Sequence, residues 1–206
     1  MIYTISNIIM FCLFGVLLIF SCQTLLRTRV IETDLRYYYF GIAIYFIMFV
    51  ISQALFIINE LSFSEGEFPY DLIYILGNFL GNVGVGILMF VVERKVYNKL
   101  HYIPTIIIAI ATILMLILYQ LMIVFIIIDL IAATLIPIIY IRVAFQTTGK
   151  TRIKGILHGL GLIIFMVGIL LNTYVIGPIY IVAPLLELTG VIIFQYALLF
   201  YAKPKE

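Results

Sequence analysis

Clusters of charged residues cut this chain into apolar segments of about 20 residues, the length an α-helix needs to cross a hydrocarbon layer about 30 Å thick. The segments lie near residues 2–26, 38–58, 72–92, 103–118, 121–141, 155–171 and 181–201. A chain of this length spends nearly all its residues on seven such spans. It therefore reads as a single transmembrane domain over 1–206, with no room for a soluble catalytic or DNA-binding domain. Composition agrees: 65% of residues are hydrophobic and 11% charged, against roughly half and about a quarter in soluble domains.

The fourth and fifth spans need an argument of their own. Residues 101–141 contain no Lys or Arg, and as one helix they would run about 60 Å at ~1.5 Å per residue. That is twice the hydrocarbon thickness, so the stretch predicts two spans, with Tyr119 and Gln120 at the turn between them.

Orientation follows from where the bases stand. Arg27, Arg29 and Arg36 lie between spans one and two, and Arg94, Lys95 and Lys99 between three and four. Arg142, Lys150, Arg152 and Lys154 lie between five and six, and Lys203 and Lys205 follow span seven. These are all twelve Lys and Arg, and seven spans place every one on the same side. The connection between spans two and three carries Glu60, Glu65, Glu67 and Asp71 without a base. Basic flanks stay in the cytoplasm, so the expected fold is an all-α integral membrane protein, a seven-transmembrane-helix bundle of the cell membrane with its N-terminus outside and its C-terminus cytoplasmic. Six or eight spans would scatter the bases over both faces.

Tyrosines occupy the interfacial positions that amphipathic rings favour, with Tyr37, Tyr38, Tyr39, Tyr97, Tyr140 and Tyr201 at inner ends and Tyr70, Tyr119, Tyr174 and Tyr180 at outer ends. The first span has no basic flank before it and no small-residue cleavage signature after it, so it reads as a retained helix. Cys12 and Cys22 both fall on that span, ten residues apart along one helix, too far for a mutual disulfide. An internal repeat relating spans one to three to spans five to seven is suggested by laying residues 36–41 (RYYYFG) on 154–159 (KGILHG), which pairs Arg36 with Lys154 and Gly41 with Gly159.

Ionisable groups within a span cost about 2.5–3.5 kcal/mol on insertion scales and are functional-site hypotheses by default. Two stand out, Asp129 in span five and Glu187 in span seven, each roughly 10–12 Å below the outer end. Asn78 and Asn82 are one turn apart on span three, and Gln53 lies two turns from the outer end of span two. Together these five are the candidate ligand- or proton-binding residues of an outer-half polar pocket. Pro184 and Pro137 are expected to kink spans seven and five near the two carboxylates. The alternative for Asp129 and Glu187 is a protonated carboxyl hydrogen-bonded to a neighbouring helix, since polar groups also glue membrane helices together. Asn78 and Asn82 have the stronger structural alternative, being interleaved with Gly77, Gly81, Gly84 and Gly86, small residues that let helices approach. Gly155 and Gly159 repeat that spacing on span six, where His158 near the inner end reads as structural or solvated.

Other chemistries find little support. His101 and His158 form no HxxxH or HExxH pair, so no metal site is expected, and no cofactor or nucleic acid is implied. No GxSxG is present, and neither cysteine has a histidine partner in its layer. Gly149-Lys150-Thr151 lacks the earlier glycine and the strand of a phosphate loop, and belongs to a basic juxtamembrane connection that suits anionic lipid headgroups or a cytoplasmic protein partner.

In span count and orientation the chain resembles seven-helix receptors, although Glu93-Arg94-Lys95 stands where their DRY would end span three. A microbial-rhodopsin pigment would need a Schiff-base lysine that span seven lacks. In topology the chain is also similar to small three-plus-one-plus-three sugar carriers, without the proline-glutamine dipeptide of one related group. The expected function is a non-enzymatic, receptor-like sensor module binding a small molecule or a proton. The alternatives are a small transporter or channel, and a noncatalytic subunit of a membrane complex. Expected partners are the lipid bilayer, a small-molecule ligand, and a cytoplasmic protein or a second copy through the glycine-rich faces.

Overall fold

The computed structural model describes residues 2–29, 33–63, 68–174 and 181–200, the side chains of 2–7, 33–34, 172–174 and 200 excepted. Glu65, Glu67, Tyr180, Tyr201, Lys203 and Lys205, and the side chains of Asn172 and Tyr174, lie outside the described residues. The described residues are α-helical with no strand among them. The helices are α1 (Ile2–Thr28), α2 (Thr33–Ser62), α3 (Phe68–Lys95), α4 (Ile103–Ile117), α5 (Met122–Ala133), α6 (Leu135–Phe145), α7 (Gly149–Tyr174) and α8 (Val182–Phe200). Among the described residues, six stretches are long and apolar enough to cross a membrane; α5 and α6 together form one of them, Tyr119–Phe145. The remaining helix, α4, has 15 residues, about 22 Å at ~1.5 Å per residue. Six to seven helices thus suit a multi-pass membrane bundle.

These helices are apolar on outer and inner faces alike. On α4, Ile110 and Ile117 are 53% and 66% exposed, and Ile127 and Ile131 of α5 are exposed too. Meanwhile Gln53, Glu93, Asp129, His158 and Glu187 are buried. Water would penalise such surfaces and hydrocarbon does not.

Helix ends and breaks follow local chemistry. The run across residues 101–141 breaks at Leu118 (φ −114°, ψ 54°), and Tyr119–Leu121 makes one 3₁₀ turn before α5 begins. Between α5 and α6 only Thr134 leaves the helix, and its amide still bonds to Leu130 O at 3.0 Å. Pro137, three residues on, has no N–H to offer the carbonyl of Ala133, so the hydrogen-bond ladder is interrupted there while Thr134 keeps helical backbone angles. Pro184 does not act as expected. It is the third residue of α8, where backbone N–H groups have no partner within the helix, so it removes no hydrogen bond and breaks nothing.

The chain divides into two compact units, Ser21–Leu135 and Met1–Phe20 with Ile136–Glu206. In the first, α3 packs on α2 and on α4. A Cβ on Gly84 would meet Tyr45 O at 3.3 Å, and Ser52 Oγ donates to Gly77 O at 2.7 Å, so the α2–α3 contact is close and partly polar. In the second unit α7 and α8 cross backbone to backbone at Gly161 and Gly190, and Gly155 and Gly159 bring α7 against α6. The matched glycines of the suggested repeat behave differently. Gly41 of span two faces Val91 of span three, whereas Gly159 of span six faces Pro137 O and Ile141 of span five. The two matched glycines therefore do not face equivalent helices.

Candidate functional site

α4 and α5 form an antiparallel hairpin around the 3₁₀ turn. Gln120 stands eight residues after Thr112 and nine before Asp129, so the two side chains meet across the interface. Asp129 is 3% exposed. Thr112 Oγ1 lies 2.7 Å from Ile108 O and 3.3 Å from Asp129 Oδ2. A hydroxyl has one hydrogen, and the shorter contact to Ile108 is the better use of it. Thr112 Oγ1 can then accept, from a proton on Asp129. The other carboxyl oxygen, Oδ1, is buried with no hydrogen-bond partner among the described residues. An unmet acceptor in such surroundings costs about 1–3 kcal/mol.

One turn along α4 from Thr112, Met115 is fully buried, and its sulfur accepts from Asn82 Nδ2 at 3.8 Å. Asn82 on α3 and Asp129 on α5 thus touch adjacent positions of α4. Phe125, one turn before Asp129, is buried with Ala111 and Met115, and Phe79 of α3 packs against that cluster. The result is a carboxyl, a hydroxyl and a carboxamide set in an apolar wall.

The other sequence candidates have surroundings of their own. Asn78 turns back on its own helix, Nδ2 donating to Tyr74 O at 2.8 Å. Gln53 is buried on α2, its Oε1 without a partner among the described residues. Glu187 belongs to the other unit. There it is 1% exposed, and the Cβ position of Gly168 lies 2.7 Å from its Cγ, so its stem fills the notch that a glycine leaves in α7. Of the two readings of His158, the solvated one fails: it is 1% exposed, with Nδ1 2.9 Å from Lys154 O. Its ring stacks on Tyr140 at 4.9 Å and meets Phe194 edge-on at 4.8 Å. No cluster of metal-ligating side chains occurs among the described residues.

Sequence reasoning missed Thr112, Asn59 and Glu93. Asn59 is 1% exposed, with Oδ1 unpartnered among the described residues. Glu93 is also 1% exposed; its Oε2 accepts from the Thr105 amide at 3.3 Å and from the Thr105 hydroxyl. α4 begins without a side-chain cap of its own, on two successive left-handed residues, His101 and Tyr102, and Glu93 supplies the cap from α3. For Thr112 the signal was available, since a residue mirrored across a predicted helix hairpin faces its counterpart.

Comparison with protein-family models, with curated proteins and with solved structures finds no match.

Proposed function

We propose that this chain is a seven-span protein of the cell membrane, N-terminus outside and C-terminus cytoplasmic, and that its α3–α4–α5 cluster around Asp129 is the binding site of a receptor-like sensor for a proton or a small hydrogen-bond donor. The observation that carries this reading is the unpartnered, buried Oδ1 of Asp129 beside a hydroxyl already committed to Ile108. Binding a donor there supplies the missing hydrogen bond, and protonation neutralises the charge. Asn82 and Met115 give the site a polar edge on α3 and a soft, adaptable wall on α4. The segregation of all twelve Lys and Arg supports the orientation, which puts the basic connections on the cytoplasmic side, where a sensor meets its partner.

The one-residue break at Thr134, five residues beyond Asp129, supports a second reading as a carrier in which the junction of α5 and α6 is a moving joint. Proteoliposomes separate the two. With a pH-reporting dye inside and a proton gradient across the membrane, a sensor leaves the parent chain and Asp129→Asn equally tight. Proton flux in the parent that is lost in Asp129→Asn would establish the carrier and refute the sensor.

A further inference from the structure

The sequence Glu93-Arg94-Lys95 closes α3 with one carboxylate and two bases, an arrangement that would ordinarily neutralise part of its own charge. The fold prevents it. Glu93 turns inward to cap α4 through Thr105, while Arg94 and Lys95 stay exposed in the last turn of α3. Arg94 instead sets its guanidinium over the ring of Tyr37, 5.8 Å from the centroid, within the ~6 Å reach of a cation–π contact. Tyr37 is 64% exposed near the start of α2, and Lys99 is exposed on the 3₁₀ turn Asn98–Leu100 that follows. Neither Arg94, Lys95 nor Lys99 has a carboxylate partner among the described residues. Glu32 and the side chain of Asp34, in the adjoining connection, lie outside them.

The surface beneath these cations is aromatic. Phe90 is one turn before Arg94 on the same side of α3, 40% exposed, and its ring stacks on that of Tyr102 at 5.5 Å. The end of a membrane-crossing helix lies at headgroup depth, with acyl chains below it. A contact to Tyr37 through the ring face uses none of the N–H donors of Arg94 in a hydrogen bond, and a guanidinium edge grips phosphate oxygens by pairs.

We infer that Arg94, Lys95 and Lys99, with Tyr37, form a binding site for the phosphate headgroup of an anionic phospholipid whose acyl chain lies along Phe90 and Tyr102. The apolar shelf favours a lipid over a free phosphate, which would gain nothing from it. The site stands independently of the Asp129 reading.

The test titrates short-chain phosphatidylglycerol into the full chain in neutral detergent and follows bound lipid by native mass spectrometry. Phosphatidylcholine and inorganic phosphate serve as comparison probes. Phosphatidylglycerol should bind more tightly than either. Arg94→Gln with Lys95→Gln should weaken it about 30-fold, from ~1 kcal/mol per base at an anionic surface, with phosphatidylcholine unaffected. Removing the same charge outside the site, by Lys150→Gln with Arg152→Gln, should change phosphatidylglycerol binding by less than about twofold if this cluster, and not net charge, holds the lipid. Arg94→Lys keeps the charge and loses the fork and the flat face; it should still weaken binding, which covers the case of a double variant that does not fold. The inference is overturned if both double variants lose affinity equally, if Arg94→Lys and the double variant at Arg94 and Lys95 bind like the parent, or if inorganic phosphate binds as tightly as the lipid.

Discussion

Replacing Gly190 by alanine at the α7–α8 crossing adds a methyl group 2.5 Å from the Phe165 backbone nitrogen and 2.6 Å from Gly161 O. Ordinary contact begins at 3.4 Å, so the nearer atom stands 0.9 Å too close. Both obstacles are main chain, and no rotamer change relieves them. The helices must separate. A gap of 0.5–1 Å forfeits about a quarter to a half of each ~0.1–0.2 kcal/mol contact; over ~40 atom pairs, as many as one buried leucine makes, that is roughly 2 kcal/mol. This falls within the ~1–3 kcal/mol typical of overpacked interiors. Alanine also favours a helix over glycine by about 1 kcal/mol, which partly hides the loss. Gly15→Ala removes that ambiguity, because Gly15 is also within a helix and its Cβ would meet nothing within 4 Å. Equilibrium unfolding in mixed micelles should therefore place Gly190→Ala about 2 kcal/mol below Gly15→Ala. Equal stabilities would refute the backbone-to-backbone crossing.

Three further outcomes follow from the same structure. Glu93→Ala removes the cap that α3 lends to α4 and leaves the Thr105 hydroxyl and amide unpaired, at a cost of about 1–3 kcal/mol; hydrogen exchange at the first turn of α4 should accelerate, with Glu93→Gln closer to the parent. Thr112→Val keeps the shape of the side chain and removes the oxygen facing Asp129, so unfolding free energy should fall by about 1 kcal/mol, and by much less when Asp129→Ala is already present. Orientation can be read with a membrane-impermeant maleimide in intact cells after Cys12 and Cys22 are replaced by serine: Ser62→Cys should label directly and Lys99→Cys only after permeabilisation, and the reverse pattern would invert the proposed topology.

Much of the helical layout could be read from residues alone because apolar runs of bilayer length leave few options, and a turn at Tyr119 and Gln120 was the sole plausible break in a stretch too long for one span. Pro137 and Pro184 look alike in sequence. Their effects differ because one follows a run of established helix and the other stands in a first turn, and that distinction depends on where α8 starts. The depth of Asp129 was evident, but depth does not choose neighbours. Its contact with Thr112 comes from hairpin symmetry, whereas the link from Asn82 to Met115 depends on how α3 is rotated about its axis. Glu93 was hidden for a different reason: beside Arg94 and Lys95 it reads as part of a solvated charge cluster. Its burial depends on the left-handed turn at His101 and Tyr102, which no glycine announces.

Infrared difference spectroscopy of the carboxyl stretch reports most directly on whether Asp129 is a proton- and donor-binding group. The parent in membranes should give a protonated-carboxyl band that disappears in Asp129→Asn and shifts to higher frequency in Thr112→Val, where the acceptor for its proton is gone. A spectrum in which Asp129→Asn removes no such band, or in which Thr112→Val leaves that band unmoved, would contradict the proposed site.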